Sequence, residues 1–198
     1  MRFTDGFRLK GHLRVEAHDR RGRLICVAYD GPNFIVDLGK QKVLEQLGQA
    51  FGPALGPGRR VMRRMSLGDQ GAIIGSPFTP KVPDASWPAR TQLFHELGRK
   101  PIDTITFPTT KSVRHITAFN SAAFDASSYS SVPRICSEAS LYIGDPDDGV
   151  ATLIQPNKVA PDIVPATDKM FSTRTFKSVP FDPLDAVTVT VTWTIFIT

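Results

Sequence analysis

Cysteine is nearly absent from this chain: Cys26 and Cys136 are the only two in 198 residues. Two thiols cannot build a disulfide framework, and they read as buried residues of a chain made in a reducing cytoplasm. Long apolar runs are missing as well. No stretch reaches the roughly 18 uninterrupted apolar residues of a spanning helix. Arg2, Asp5, Arg8 and Lys10 break up Met1–Arg14, so no signal peptide is readable and no membrane partner is expected. An outer-membrane barrel needs many alternating segments of about ten residues and an export signal, and the chain offers neither.

The signatures of chemistry are equally sparse. The four histidines, His12, His18, His95 and His115, are scattered without metal-ligand spacing. No GxSxG elbow, P-loop or GxGxxG is present. The glycine-rich Gly52–Gly58 carries prolines that remove backbone donors, and no Lys-Ser/Thr follows it. The expectation is therefore no enzyme, no small-molecule substrate, no cofactor and no metal.

What the chain does have is charge, unevenly spread. Its 24 Lys+Arg and 19 Asp+Glu give a net charge of +5. Residues 1–64 hold 13 basic and 6 acidic residues, a net of +7; the remainder holds 11 and 13, a net of −2. Nucleic acid is disfavoured as the partner, because neither stacking aromatics nor a recognition helix accompanies the basic cluster. A two-ended charge distribution suits contacts between neighbouring copies.

Hydrophobic periodicity supplies the architecture. Phe7, Leu9, Leu13, Val15 and Ala17 share one parity of an opening strand, with Arg8, Lys10, His12, Arg14, Glu16 and His18 on the other. A polar turn at His18–Arg23 leads into a second strand, Leu24–Tyr29, and Phe34–Val36 is a short buried run. Val43, Leu44, Leu47, Ala50 and Phe51 form one helical face, stopped by Gly52 and Pro53. Residues 52–90 contain six Pro and six Gly and read as an arm or binding loop, apart from a strand-like Val61–Leu67. Leu93, Phe94 and Leu97 suggest a helical turn. Strands are expected at Ile102–Phe107, Val113–Phe119, Ile135–Ile143, Met170–Phe176 and Ala186–Ile197. In the last, Val187, Val189, Val191, Trp193, Ile195 and Ile197 alternate with threonines. The fold expected is mainly β: a single antiparallel, jelly-roll-like β-sandwich domain over residues 1–198. It has one short amphipathic helix near 39–51, a Pro/Gly-rich arm at 52–90 and an insertion at 144–169.

Three clusters stand out. Arg59, Arg60, Arg63 and Arg64 form a basic group read as a contact for an acidic protein neighbour, and Arg63-Arg64-Met65-Ser66 also resembles a basophilic kinase site. Asp145, Asp147 and Asp148 could gather round a hard cation, but a hairpin tip between Leu141–Ile143 and Val150–Ile154 explains them through turn chemistry. They are taken with the arginines as subunit contacts. Glu138 sits among Ile135, Ala139, Leu141 and Ile143 on the opposite parity. It is either solvated or covered, and if covered it needs a partner, with Arg174 (or Arg99) the candidate.

The succession of segments resembles a family of tailed-bacteriophage virion proteins. Asn33-Phe34-Ile35-Val36 with Gly39 and a helix is similar to its opening, and Met65–Gly71 looks like its next strand and glycine exit. Thr91-Gln92-Leu93 with Glu96-Leu97 and Arg99 matches its short Leu…Glu-Leu…Arg segment. Ile135 with Glu138-Ala139 and Leu141-Tyr142, Met170 with Arg174 and Phe176, and Val189–Ile195 follow in order. The resemblance covers most of residues 9–198. It implies a β-sandwich structural subunit of the neck or collar, tail or baseplate. Such a subunit is synthesised in the host bacterial cytoplasm and located in the virion. Its partners would be other copies of itself and neighbouring virion proteins, and it would carry no catalytic residues. The alternative is a β-sandwich module for carbohydrate or another host-surface ligand, with Trp87 and Tyr129 as its candidate aromatics.

Overall fold

The computed structural model describes residues 9–49, 61–73, 75–130, 132–150 and 152–197. The first strands are β1 (Leu9–His18), β2 (Leu24–Pro32) and β3 (Phe34–Ile35), followed by the helix α1 (Asp37–Gln49). Next come β4 (Val61–Gly68), β5 (Ala72–Ile73), β6 (Ser76–Pro80), β7 (Glu96–Pro101) and β8 (Thr104–Thr109). The chain continues through β9 (Ser112–Asn120), β10 (Ile135–Gly144), β11 (Lys169–Pro180) and β12 (Thr188–Ile197).

Period-two alternation builds the first sheet. In β1, Leu13, Val15 and Ala17 are fully buried, and in β12 so are Val189, Val191 and Trp193. These strands pair antiparallel from Leu9 opposite Ile197 to His18 opposite Thr188, which aligns their apolar parities on one face. The sheet order is β2-β1-β12-β9-β8. A second five-stranded antiparallel sheet, β3-β11-β10-β4-β7, packs against it, so the sandwich expected from the strand pattern is what forms. Leu67, Leu141, Phe171 and Phe176 meet Leu13, Phe119, Val191 and Trp193 in the shared core. Each such burial is worth about 1.5–3 kcal/mol. The Asn33 side chain lies between Gly11 and the Trp193 indole of one sheet and Ser172 of the other, a polar rivet through the core edge.

The second sheet differs from the first in being covered on both faces. Every residue of β10 from Cys136 to Gly144 is buried. Ala139, Leu141 and Ile143 face the core, whereas Glu138, Ser140 and Tyr142 take the other parity. Over that outer face lie the start of α1, the 81–97 segment and the 145–168 connection. Val36, Leu93 and Met170, with Phe34 and Leu38, pack there against Tyr142. Gly39 lets α1 approach, since a Cβ there would collide with the Phe171 backbone.

Several expectations change at this level. The helix begins at Asp37, and Val43 packs on the core. The side chains of 44–49, with Ala50, Phe51 and the Gly52–Arg60 stretch, lie outside the described residues, as does Phe7. Within 52–90, the strand expected at Val61–Leu67 forms as Val61–Gly68, and it is an inner strand between β10 and β7, which divides the arm. Its two parities, Met65 with Leu67 and Arg64 with Ser66, are both buried. The helical turn expected at 93–97 does not form: residues 93–95 are irregular and β7 begins at Glu96, where pairing with β4 satisfies the backbone while Leu97 enters the core. The hairpin expected between 141–143 and 150–154 does not form. β10 pairs with β11 and β4 instead, and Ile154 bridges to Arg99 on the far edge of β7.

Candidate functional site: a buried ionic layer and two apolar edges

The outer face of the second sheet is polar and buried, so its charges must be paired. Arg64 on β4 is fully buried; its Nη1 donates to Asp168 Oδ1 at 2.7 Å and its Nη2 lies 2.6 Å from Asp148 Oδ2. Arg63 reaches the same Asp148 at 3.6 Å and the Val150 carbonyl at 3.3 Å. On β7, Arg99 grips Glu96 with two donors at 2.6 and 2.5 Å and shares Asp168 at 3.2 Å. Its guanidinium stacks on Tyr142, 4.0 Å from the ring centre. Burial opposes the charge on Arg99, but the Glu96 hydrogen bonds outweigh it and raise the pKa. Burial likewise opposes the Asp148 carboxylate, and Arg64 holds its pKa below the ordinary value.

The clusters read as subunit contacts are therefore bound to each other. Arg63 and Arg64 meet Asp148 within one chain, because β4 runs beneath the 145–168 connection and a buried guanidinium takes the nearest carboxylates. Asp147 stays exposed and donates its backbone N–H to Asp145, a turn contact. Arg59 and Arg60 lie outside the described residues. Ser66, the hydroxyl of the kinase-like motif, is fully buried against Ser140 at 2.8 Å, which withholds it from any modifying enzyme.

Glu138 is covered, and its partner is not Arg174. In the β10–β11 register Ala139 stands opposite Arg174, while Glu138 stands opposite Thr175. Residues one apart point to opposite faces, so Arg174 lies over Tyr29 at 5.0 Å instead. Glu138 accepts the backbone N–H groups of Phe94 and His95, each at 3.0 Å, and Arg90 approaches it at 3.5 Å. Burial raises its pKa against these contacts. Gly68 makes room, because a Cβ there would press on the Glu138 side chain. Arg90 in turn sits 3.9 Å over the Phe94 ring, and Lys81 sits 3.8 Å from the centre of that ring. Asp69 completes the clasp, meeting His95 Nδ1 at 2.8 Å and accepting from Ser130 N at 2.8 Å; the Asp69 hydrogen bond raises the His95 pKa. No spacing rule in the sequence joins Glu138 to Arg90 or Asp69 to His95, so these partners were not foreseeable.

Between the 91–96 segment and the 156–168 loop this layer opens as a cleft of about 470 Å³, with Tyr142, Arg99, Glu96 and Asp168 at its floor. The candidate glycan aromatics are elsewhere. Trp87 is 1% exposed and anchors its turn against Phe34, while Tyr129 packs on Phe181.

The first sheet has the molecule's other conspicuous feature. Both of its edge strands, which pair with no further strand among the described residues, expose apolar side chains: Leu24 (53%), Ile25 and Val27 on β2, and Ile105 and Phe107 (77%) on β8. All six residues of β8 are exposed. Comparisons with family models, with curated proteins and with solved structures return no match. No helix among the described residues is long and apolar enough to cross a membrane.

Proposed function

We propose that the chain is a structural subunit that assembles through protein–protein contacts into a symmetric oligomer. The observation that carries this reading is the pair of apolar edges on opposite sides of one sheet. A ring needs two different, complementary patches per subunit, and exposed aliphatic and aromatic clusters mark contact surfaces. Two register shifts in β2 and the Pro108 in β8 interrupt the free edges, so side chains rather than a continuous backbone ladder carry the contact. The resemblance of the segment order to tailed-phage virion proteins is the ground for reading the oligomer as part of a neck, tail or baseplate. The basic front of the chain contributes less to assembly than its net charge implies, since Arg63 and Arg64 are neutralised internally.

Size-exclusion chromatography with light scattering tests the proposal. The expected mass is a multiple of the 21.7 kDa chain. Phe107→Asp or Leu24→Asp, each at an exposed position, should give folded monomers with the wild-type circular dichroism spectrum, whose melting temperature is lowered by the lost subunit contact and no longer depends on protein concentration. A wild-type chain that stays monomeric and is missing from purified particles overturns the reading.

A further inference from the structure

We infer that the cleft between the 91–96 segment and the 156–168 loop binds a singly charged acidic sugar, with Lys169 at its rim holding the acid group. This does not rest on the assembly reading, because the cleft belongs to the second sheet and the apolar edges to the first. At about 470 Å³ the cleft falls within the range of small-ligand sites, roughly 300–1,000 Å³. Its ionic floor is closed: the Asp168 side chain is fully buried, Tyr142 is 1% exposed and Arg99 keeps 6% of its side-chain surface. A ligand therefore meets the walls and the rim. Both walls are held in place. On one side Arg90 donates to the Gln92 carbonyl at 3.0 Å, and Glu138 accepts the N–H groups of Phe94 and His95. On the other, Asn157 donates to the Glu96 carbonyl at 2.8 Å, and Lys158 pairs with Asp162 at 2.7 Å. Walls fixed in this way lose little conformational freedom when they bind.

Charge selects the acid group. In the layer beneath, Arg63, Arg64 and Arg99 meet Asp148, Asp168 and Glu96, three cations to three carboxylates. His95 pairs with Asp69, and Arg90 with Glu138. The Asp69 hydrogen bond raises the His95 pKa, so the imidazolium persists toward neutral pH and offsets its carboxylate. Lys169, the first residue of β11, lines the same cleft, is exposed and makes no ion pair among the described residues. The cleft is thus left with one uncompensated positive charge. A carboxylate or a sulfate ester balances it, whereas a phosphate monoester brings about −1.5 to −2 and a neutral ligand leaves the ammonium unanswered. The rest of the lining selects the body that carries the acid. Thr91 and Gln92 stand exposed, and Asn157, having spent its Nδ2 on Glu96, keeps its amide oxygen as an acceptor. These donors and acceptors match sugar hydroxyls, each of which gives and accepts a hydrogen bond. Leu93 and Val164 supply apolar wall for the C–H faces of the ring. A nucleobase finds no free stacking surface, because Arg90 and Lys81 already engage the Phe94 ring and Arg99 engages Tyr142.

The test is saturation-transfer NMR of the intact protein with glucuronate, N-acetylneuraminate and glucose 6-sulfate at millimolar concentration, beside glucose and glucose 6-phosphate. We expect transfer to the ring protons of a singly charged sugar, with glucuronate and glucose 6-sulfate separating carboxylate from sulfate ester. Glucose and glucose 6-phosphate should bind at least threefold more weakly. Lys169→Gln should weaken binding about fivefold, the scale of one exposed ion pair. Lys169→Glu, which sets a repelling charge at the rim, and Ala166→Trp, which fills the cleft from an exposed position on its wall, should abolish it. All three variants should keep the wild-type melting temperature and elution volume. Three results overturn the inference: no transfer to any singly charged sugar, transfer to glucose or glucose 6-phosphate as strong as to the singly charged sugars, or binding that survives Lys169→Glu. A monomeric protein that binds the acidic sugar would sink the assembly reading alone.

Discussion

Acid should destabilise this fold through one histidine in its core. His115 on β9 stands opposite Trp193 and Ile105, is 3% exposed, and has no partner for Nδ1 among the described residues. Burial lowers its pKa from 6.5 to about 4, because a charged imidazole there loses its hydration and gains no counter-ion. The unfolded chain takes up a proton near pH 6.5 and the folded chain resists until about 4. The neutral-histidine contribution is therefore complete above pH 6.5 and lost as pH falls from there through 4. Linkage over that window gives a loss of about 2 kcal/mol by pH 5 and about 3 kcal/mol by pH 4, relative to pH 7. That is a large share of the roughly 5–15 kcal/mol stability of a typical domain. Urea unfolding followed by tryptophan fluorescence at each pH measures the loss directly. Other groups titrate in the same range, and the raised pKa of His95 works in the opposite sense, adding stability below pH 6.5 that disappears as pH rises. His115→Leu isolates the effect: the difference between its pH profile and that of the wild type should carry the 2–3 kcal/mol. Parallel profiles between pH 7 and 4 would refute the reasoning.

The remaining predictions concern the ionic layer and the rivet between sheets. Glu138→Ala should cost about 3–5 kcal/mol, since it strands Arg90 and two backbone N–H groups in a buried site; Arg174→Ala should cost about 1 kcal/mol or less, the scale of a cation–π contact. Equal effects of the two substitutions on urea midpoints would reverse the assignment made here. Arg64→Ala should lose about 3–5 kcal/mol and expose the 145–168 connection to limited proteolysis. In a double-mutant cycle with Asp168→Ala the second change should add little, and full additivity would mean that the pair does not couple. Asn33→Ala should lose about 1–3 kcal/mol by leaving the Trp193 indole N–H and Ser172 without their amide partner, read as a lowered melting temperature.

Chain periodicity determined the strands. The alternation of Leu13, Val15 and Ala17, and of Val189, Val191 and Trp193, reveals both the element and its buried face, because a strand's side chains alternate whatever it pairs with. It also marked Arg63, Arg64, Asp148 and Glu138 as residues that need an explanation. Pairing was decided only in three dimensions. Arg64 finds its carboxylates 84 and 104 residues along the chain, a separation that leaves no spacing signal. The sequence showed Val61–Leu67 as a strand between stretches rich in proline and glycine, but its place as an inner strand flanked by β10 and β7 was decided only by the pairing. Arg174 was a reasonable partner for Glu138 by charge alone, and a register offset of one residue placed it on the opposite face. The scarcity of cysteine excluded a stapled fold from the outset. In place of disulfides, buried guanidinium–carboxylate pairs tie the connections to the second sheet, and only the folded chain brings those groups together.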